Sequence, residues 1–206
     1  MIPVQFITHT TDRYSYEDSA RLALAGGCRW VQFRMKEGSD DEVRPVAERV
    51  QALCREHGAT LIVDDRVDLA KSIGADGVHL GREDMPVAEA RKRLGEEFLI
   101  GGTANTFDDV ERLCRAGVDY IGYGPFRFTT TKERLAPVLG IDGYAELVKR
   151  MAEAGLRTPV VAIGGITRPD VPALMATGVR GIAVSSAVLR AADPVAEMKA
   201  LLNADE

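Results

Sequence analysis

The chain has 206 residues, 46% of them hydrophobic and 28% charged, the balance of an ordinary globular protein. Its formal net charge of -5 argues against nucleic acid or a membrane surface as the main partner. No apolar run approaches the about 18 residues that a membrane-spanning helix needs, and the stretch from Met1 to Asp12 lacks the basic start and apolar core of a signal peptide. Cys28, Cys54 and Cys114 are odd in number and far apart, so they read as reduced thiols of a cytoplasmic protein and not as a disulfide or zinc framework.

Short apolar runs alternate with helical patterns from end to end. The runs predicted as strands are Gln5 to Thr8, Trp30 to Phe33, Leu61 to Val63, Gly77 to Leu80, Leu99 to Gly101, Tyr120 to Gly122, Val160 to Ile163 and Gly181 to Val184. The helical patterns between them are Tyr16 to Leu24, Asp41 to Glu56, Val67 to Ser72, Val87 to Arg93, Asp108 to Arg115, Gly143 to Ala154, Val171 to Ala176 and Val195 to Leu202. Strands alternating with helices imply crossover units and a parallel sheet. Eight such units predict an α/β fold, a single (β/α)8 TIM barrel spanning residues 1–206 as one domain. An open doubly wound sheet is the alternative, but no strand-to-helix turn carries the dinucleotide fingerprint. Glycines just past the helical patterns (Gly26-Gly27, Gly58, Gly74, Gly95, Gly117, Gly155, Gly178) read as C-caps and carry no chemistry. In a barrel, function belongs to the turns after each strand.

Taken in order, those turns hold two kinds of group. The second run ends in Gln32-Phe33-Arg34-Met35-Lys36, whose alternate polar side chains share one face of an extended strand. Such a row in an apolar barrel needs an anionic partner. The third run ends in Asp64-Asp65-Arg66 and the fourth in Gly81-Arg82-Glu83-Asp84. Neighbouring parallel strands set these carboxylates side by side, where a hard divalent ion such as Mg²⁺ would relieve their repulsion; Asp64, Asp65 and Asp84 are also simply good turn formers and helix N-caps. His79 lies within the fourth run, and Thr103 follows the fifth.

The turn after the sixth run is long, from Gly122 to about Ile141, and holds Thr129, Thr131 and Lys132. Loops of that length are usually lids or binding loops, and a lysine suits phosphate. The seventh run ends in Gly164-Gly165 and the eighth in Ser185-Ser186. Bare backbone and hydroxyls there match the phosphate cup of many such barrels.

Together these motifs resemble the thiamine phosphate synthase family. The resemblance covers nearly the whole chain and rests on Gln32 to Lys36, Asp65-Arg66, Asp76 to Asp84, Gly124-Pro125 followed by Thr129 to Lys132, and Ala162 to Ile166. It implies an enzyme that joins hydroxymethylpyrimidine pyrophosphate to a thiazole phosphate, releasing pyrophosphate. It implies small phosphorylated molecules as partners and Mg²⁺ as cofactor, held by Asp65 and Asp84. Arg34, Lys36, Thr103 and Lys132 would take the pyrophosphate. Gly164, Gly165, Ser185 and Ser186 would take the thiazole phosphate. Thr129 and Thr131 would close over both substrates, and Gln32 and His79 would face the pyrimidine.

The chain departs from the family in three places. Asp64 stands where Asn is usual, Phe126-Arg127-Phe128 replaces a shorter step with proline, and Ser185 replaces an apolar residue. Three rival readings stay open: a thiazole tautomerase of the same fold, a sugar-phosphate isomerase or epimerase, and a non-catalytic barrel that binds thiamine phosphates. Lys36, Lys132 and the Asp65/Asp84 pair have no evident task in the tautomerase. Exposed and interfacial apolar faces of the outer helices look alike in sequence, so no oligomeric state is read from it.

Overall fold

The computed structural model describes residues 3–128 and 137–204. Among these, eight parallel strands pair in sequence order and close into a barrel: β1 (Val4–Ile7), β2 (Trp30–Phe33), β3 (Thr60–Asp64), β4 (Gly77–Leu80), β5 (Leu99–Ala104), β6 (Tyr120–Tyr123), β7 (Val160–Ile163) and β8 (Gly181–Val184). The helices α1 (Tyr16–Ala25), α2 (Asp40–Glu56), α3 (Val67–Ile73), α4 (Val87–Leu94), α5 (Phe107–Ala116), α6 (Gly140–Glu153) and α7 (Val171–Ala176) separate successive strands. A short α8 (Ser186–Leu189) and a closing α9 (Pro194–Leu202) follow β8. None of these helices is long and apolar enough to cross a membrane.

Local sequence explains where the helices start and stop. Ser15, Ser39 and Thr106 each accept the backbone N–H three residues on, and Asp18, Glu42 and Asp109 return the bond. Gly74 and Gly117 end α3 and α5 in the left-handed region, at φ 68° and 77°. The pleat then sorts the strands' side chains. Phe6, Phe33, Leu61, Ile100, Ile121 and Ile182 turn outward into the layer shared with the helices. Ile7, Trp30, Tyr120, Val161, Ile163 and Ala183 turn inward as a second, smaller cluster. Cys28 and Cys54 are buried free thiols, as the sequence suggested.

The elements agree with the sequence reading to within a few residues, and two differences bear on the site. β5 runs on to Ala104, because Gly101 to Ala104 pair residue for residue with Tyr120 to Tyr123 of β6. Thr103 therefore sits within a strand and not in the turn after it. The two glycines read as a strand end, yet Gly101 belongs there for want of room: a Cβ on it would lie 2.2 Å from Tyr120 Cζ. The second difference is α8, whose four residues are too few for any periodicity to announce it.

Tyr144 of α6 locks the rim of the barrel. It is fully buried, and its hydroxyl donates to Tyr123 O at 2.5 Å and accepts from Ile163 N at 3.3 Å, tying the ends of β6 and β7 together. Tyr144→Phe removes the buried hydroxyl from both contacts while the β6–β7 ladder keeps its own bonds. It is expected to cost about 1 kcal/mol in urea unfolding, with no change of fold by circular dichroism.

Candidate active site

A cavity of about 480 Å³ opens where the strands end. One arc of it is charged. Gln32, Arg34 and Lys36 climb out of the barrel along β2 and its continuation, with Gln32 only 3% exposed and the Arg34 and Lys36 side chains 21% and 45% exposed. Thr8 braces the row, its Oγ1 accepting from Arg34 N at 3.0 Å. Arg66 braces it from below: its guanidinium donates to Met35, Lys36 and Gly38 carbonyls at 3.3, 3.1 and 2.8 Å and to Asp40 Oδ1 at 2.6 Å.

The carboxylates meet this row. Asp64, the last residue of β3, lies 3.2 Å from Arg34 Nε and 3.5 Å from Lys36 Nζ. Its charge, which stands in place of the family's Asn, is thus spent on the two cations beside it. Asp65 turns at φ 64°, the one non-glycine in the left-handed region among the described residues, and its N–H donates to His79 O at 2.9 Å. That turn swings its carboxylate onto Lys36 and onto Asp84.

Asp84 is held by Gly81 N–H, which donates to its Oδ2 at 2.5 Å. Burial, and then the hydrogen bond shared with Asp65, push its carboxyl up to about 6. Burial acts the same way on Asp65, but the bonds from Asp84 and Lys36 outweigh it and hold Asp65 below the usual carboxylate range. Two carboxylates this close disfavour each other's charge, so Asp84 keeps its proton to higher pH than a free carboxyl does. Burial works against the charge of Lys36, yet Asp64 and Asp65 more than offset it and raise its pKa.

The opposite arc is bare and neutral. Gly164 and Gly165 leave β7 at φ 99° and 70°. The chain from Pro125 to Phe128 lies across them: Phe126 N donates to Ile163 O at 2.8 Å and Arg127 N to Gly164 O at 2.9 Å. A Cβ on Gly164 would sit 2.9 Å from Pro125 Cα. Arg127 explains the family departure at 126–128. Its guanidinium grips the Asp170 carboxylate at 2.7 and 2.8 Å and Gly165 O at 2.8 Å, which pulls the Asp170 carboxyl down to about 2. Ser185 and Ser186, at the start of α8, complete this arc, and Ser185 Oγ is buried with no hydrogen-bond partner among the described residues.

The described candidates from the sequence therefore come together around one cavity, His79 and Thr103 included. Thr129, Thr131 and Lys132 lie outside the described residues. The stem of their loop is described, and it closes beside the glycine arc: Leu139 N donates to Pro125 O at 3.0 Å and Gly140 N to Phe126 O at 3.1 Å. Sequence reasoning passed over Gln5, Tyr120, Thr8 and Asn105. Gln5 and Tyr120 carry a signal, a polar atom at a barrel-facing position of an apolar strand; Thr8 and Asn105 carry none. Gly164→Ala is expected to destabilise the fold by about 1–3 kcal/mol, read by urea denaturation, because it demands a rare backbone and displaces Pro125.

Comparison with known proteins identifies the family. A family model described as thiamine monophosphate synthase matches residues 4–188. A thiamine-phosphate synthase from Phocaeicola vulgatus is 61% identical over 98% of this chain and 97% of its own. One from Caldivirga maquilingensis is 40% identical over 95% of this chain and 93% of its own. The solved thiamine phosphate pyrophosphorylase from Pyrococcus furiosus superposes with a TM-score of 0.86 at 34% identity, covering 99% of this chain and 95% of that one. A 3-hexulose-6-phosphate synthase structure, at 15% identity and a TM-score of 0.70, shares the fold alone. On these grounds the chain belongs to the thiamine monophosphate synthase family, whose members are transferases of thiamine biosynthesis.

Proposed function

We propose that the cavity joins hydroxymethylpyrimidine pyrophosphate to thiazole phosphate, giving thiamine phosphate and pyrophosphate, or to its carboxylated form with release of CO2 as well. The supporting observation is that one cavity has two unlike ends. Cations and an acidic pair stand over β2 to β4, and bare glycines with hydroxyls stand over β7 and β8. Two phosphorylated substrates need two anion sites.

The pyrophosphate end carries the chemistry. The bond between the pyrimidine methylene carbon and the pyrophosphate oxygen breaks with its electron pair going to oxygen. Arg34 and Lys36 stand ready for the growing charge, with Lys132 of the loop as a third cation. The thiazole nitrogen then attacks the methylene carbon. Its phosphate, anchored at Gly164, Gly165, Ser185 and Ser186, fixes the line of approach. No residue needs to remove a proton.

Asp65 and Asp84 fit a hard divalent ion, since two touching carboxylates that disfavour each other's charge can hold a cation in place of the proton that Asp84 keeps. Mg²⁺ bound there would add positive charge against the pyrophosphate oxygens. Asp64 has a different part: it keeps Arg34 and Lys36 paired until substrate arrives. A tautomerase would give these cations and carboxylates no work. We place the reaction in the cytoplasm, in line with the free thiols.

The direct test mixes purified protein with both substrates, with and without Mg²⁺, and reads thiamine phosphate after oxidation to its fluorescent form. Mg²⁺-dependent product is expected; a folded protein that binds substrate and makes none would refute the proposal. Lys132→Ala and Asp84→Ala should each lower kcat about 100-fold or more with the fold intact. Asp64→Asn removes the carboxylate beside Arg34 while Lys36 keeps Asp65, and should lower KM for the pyrimidine substrate about tenfold, the worth of one charge-assisted contact. Below about pH 6 the acidic pair holds a proton that Mg²⁺ must displace. The apparent Mg²⁺ affinity should therefore fall about tenfold per pH unit below that point and stay level above it, as a Mg²⁺ titration of activity will show.

A further inference from the structure

At the bottom of the cavity, four buried polar side chains from four strands form a continuous chain, of which Gln32 and His79 reach the cavity lining. Gln32 Nε2 donates to Gln5 Oε1 at 3.3 Å, and Gln5 Nε2 donates to Tyr120 Oη at 3.0 Å. His79 Nδ1 lies 3.1 Å from the same phenol oxygen, and His79 Nε2 lies 2.9 Å from Thr103 Oγ1. Gln5, Gln32, Tyr120 and His79 are all at most 6% exposed. Gln32, His79 and Thr103 line the cavity, and of these Thr103 is the half-buried one.

We propose that this chain is a positioning device: it holds His79 in the tautomer protonated at Nε2, which leaves the Thr103 hydroxyl proton free to be donated into the cavity, toward the substrate's pyrophosphate. The second half of that statement rests on the reaction proposed above; the first half does not.

The argument is a count of protons. A phenol has one to give. The Tyr120 oxygen already receives the Gln5 amide N–H, so its own proton goes to His79 Nδ1. Burial pushes the Tyr120 pKa well upward, so the phenol keeps that proton. A ring nitrogen that accepts cannot also carry hydrogen, and neutral imidazole must then be protonated at Nε2. That N–H donates to Thr103 Oγ1, which has no need to spend its own proton on His79. Every bond in the chain runs in one sense, from Gln32 to Thr103, and bonds aligned this way strengthen one another.

The surroundings are shaped for these rings. Gly101 leaves the space in which Tyr120 and His79 meet; a Cβ there would lie 2.5 Å from His79 Nδ1. Gly122 gives the imidazole its other wall, with its hypothetical Cβ 3.1 Å from His79 Cε1. Trp30 packs edge-on against Tyr120, with ring centroids 4.9 Å apart, and fixes the phenol from below. The order of the chain is also reversible in principle. If both amides were turned over, each bond would run the other way, His79 would be protonated at Nδ1, and Thr103 would donate to His79 and not to the cavity.

The two directions are distinguishable in solution. The chain has three histidines, so ¹⁵N-labelled protein gives few ring signals, and His79→Gln assigns the one that matters. Long-range ¹H–¹⁵N correlation at about pH 8, above the ordinary imidazole range, should show His79 with a protonated Nε2 and a bare, accepting Nδ1. A protonated Nδ1 would overturn the proposal, whether or not the protein is active. Tyr120→Phe removes one oxygen and should let both tautomers appear. With both substrates supplied, it should lower kcat about tenfold while KM for thiazole phosphate stays put. Thr103→Val should lower kcat about tenfold, and Thr103→Ser, which restores the hydroxyl, should recover most of that loss. A Tyr120→Phe protein with the wild-type tautomer, or with mixed tautomers and unchanged kcat, would sink the idea. Absence of product from the wild type alongside a protonated Nε2 would instead count against the reaction and leave the tautomer assignment standing.

Discussion

Arg34 and Lys36 bring two positive charges to the mouth of a poorly polarisable barrel, and the contacts of Asp64 and Asp65 hold them there. Without counter-charge, cations at that depth would be costly to keep out of water. With it, the cations are kept charged and aimed before any substrate is present. The arrangement also explains how a carboxylate can stand at position 64 of a site built for anions. Its charge is answered on two sides, by Arg34 and by Lys36. Asp84, one step further along the rim, is left with Asp65 as neighbour, and burial beside a second carboxylate makes it ionise only at higher pH.

The rest of the rim is braced so that this charge pattern keeps its shape. Arg66 ties the segment that carries Lys36 to its own turn through three carbonyls. Tyr144 ties β6 to β7, and Arg127 ties the stem of the long loop to the turn after β7. These bonds join turns that follow different strands. A site assembled from eight separate strand ends needs such cross-links, because each turn alone is free to move.

The inside of the barrel shows a different economy. Its lower part is apolar, closed by Trp30, Tyr120 and Val161. Its upper part is polar, and the polar atoms of Gln5, Gln32, Tyr120 and His79 find partners in one another. Burial without partners would destabilise such groups by several kcal/mol in total. Satisfied, they form a stiff floor under the cavity, and the small residues Gly101 and Gly122 are what the floor requires of its neighbours.

Much of this was legible in the sequence. Apolar runs at regular spacing, glycines at helix ends and the absence of a dinucleotide fingerprint pointed to the closed parallel barrel. The alternation at Gln32, Arg34 and Lys36 and the acidic residues ending two successive runs pointed to one charged arc, because parallel neighbours put their ends on the same rim. What the sequence does not contain is distance between strands far apart in the chain. Gln5 and Tyr120 are separated by 115 residues and Arg127 and Asp170 by 43, yet each pair is in hydrogen-bond contact. The extension of β5 past its glycines depends on the ring of Tyr120 on the neighbouring strand, and the four-residue α8 leaves no periodic trace. Local pattern decides which residues form strands and at which end chemistry gathers. Closure of the sheet decides which inward-facing atoms touch, and only that contact sets where the protons and charges lie.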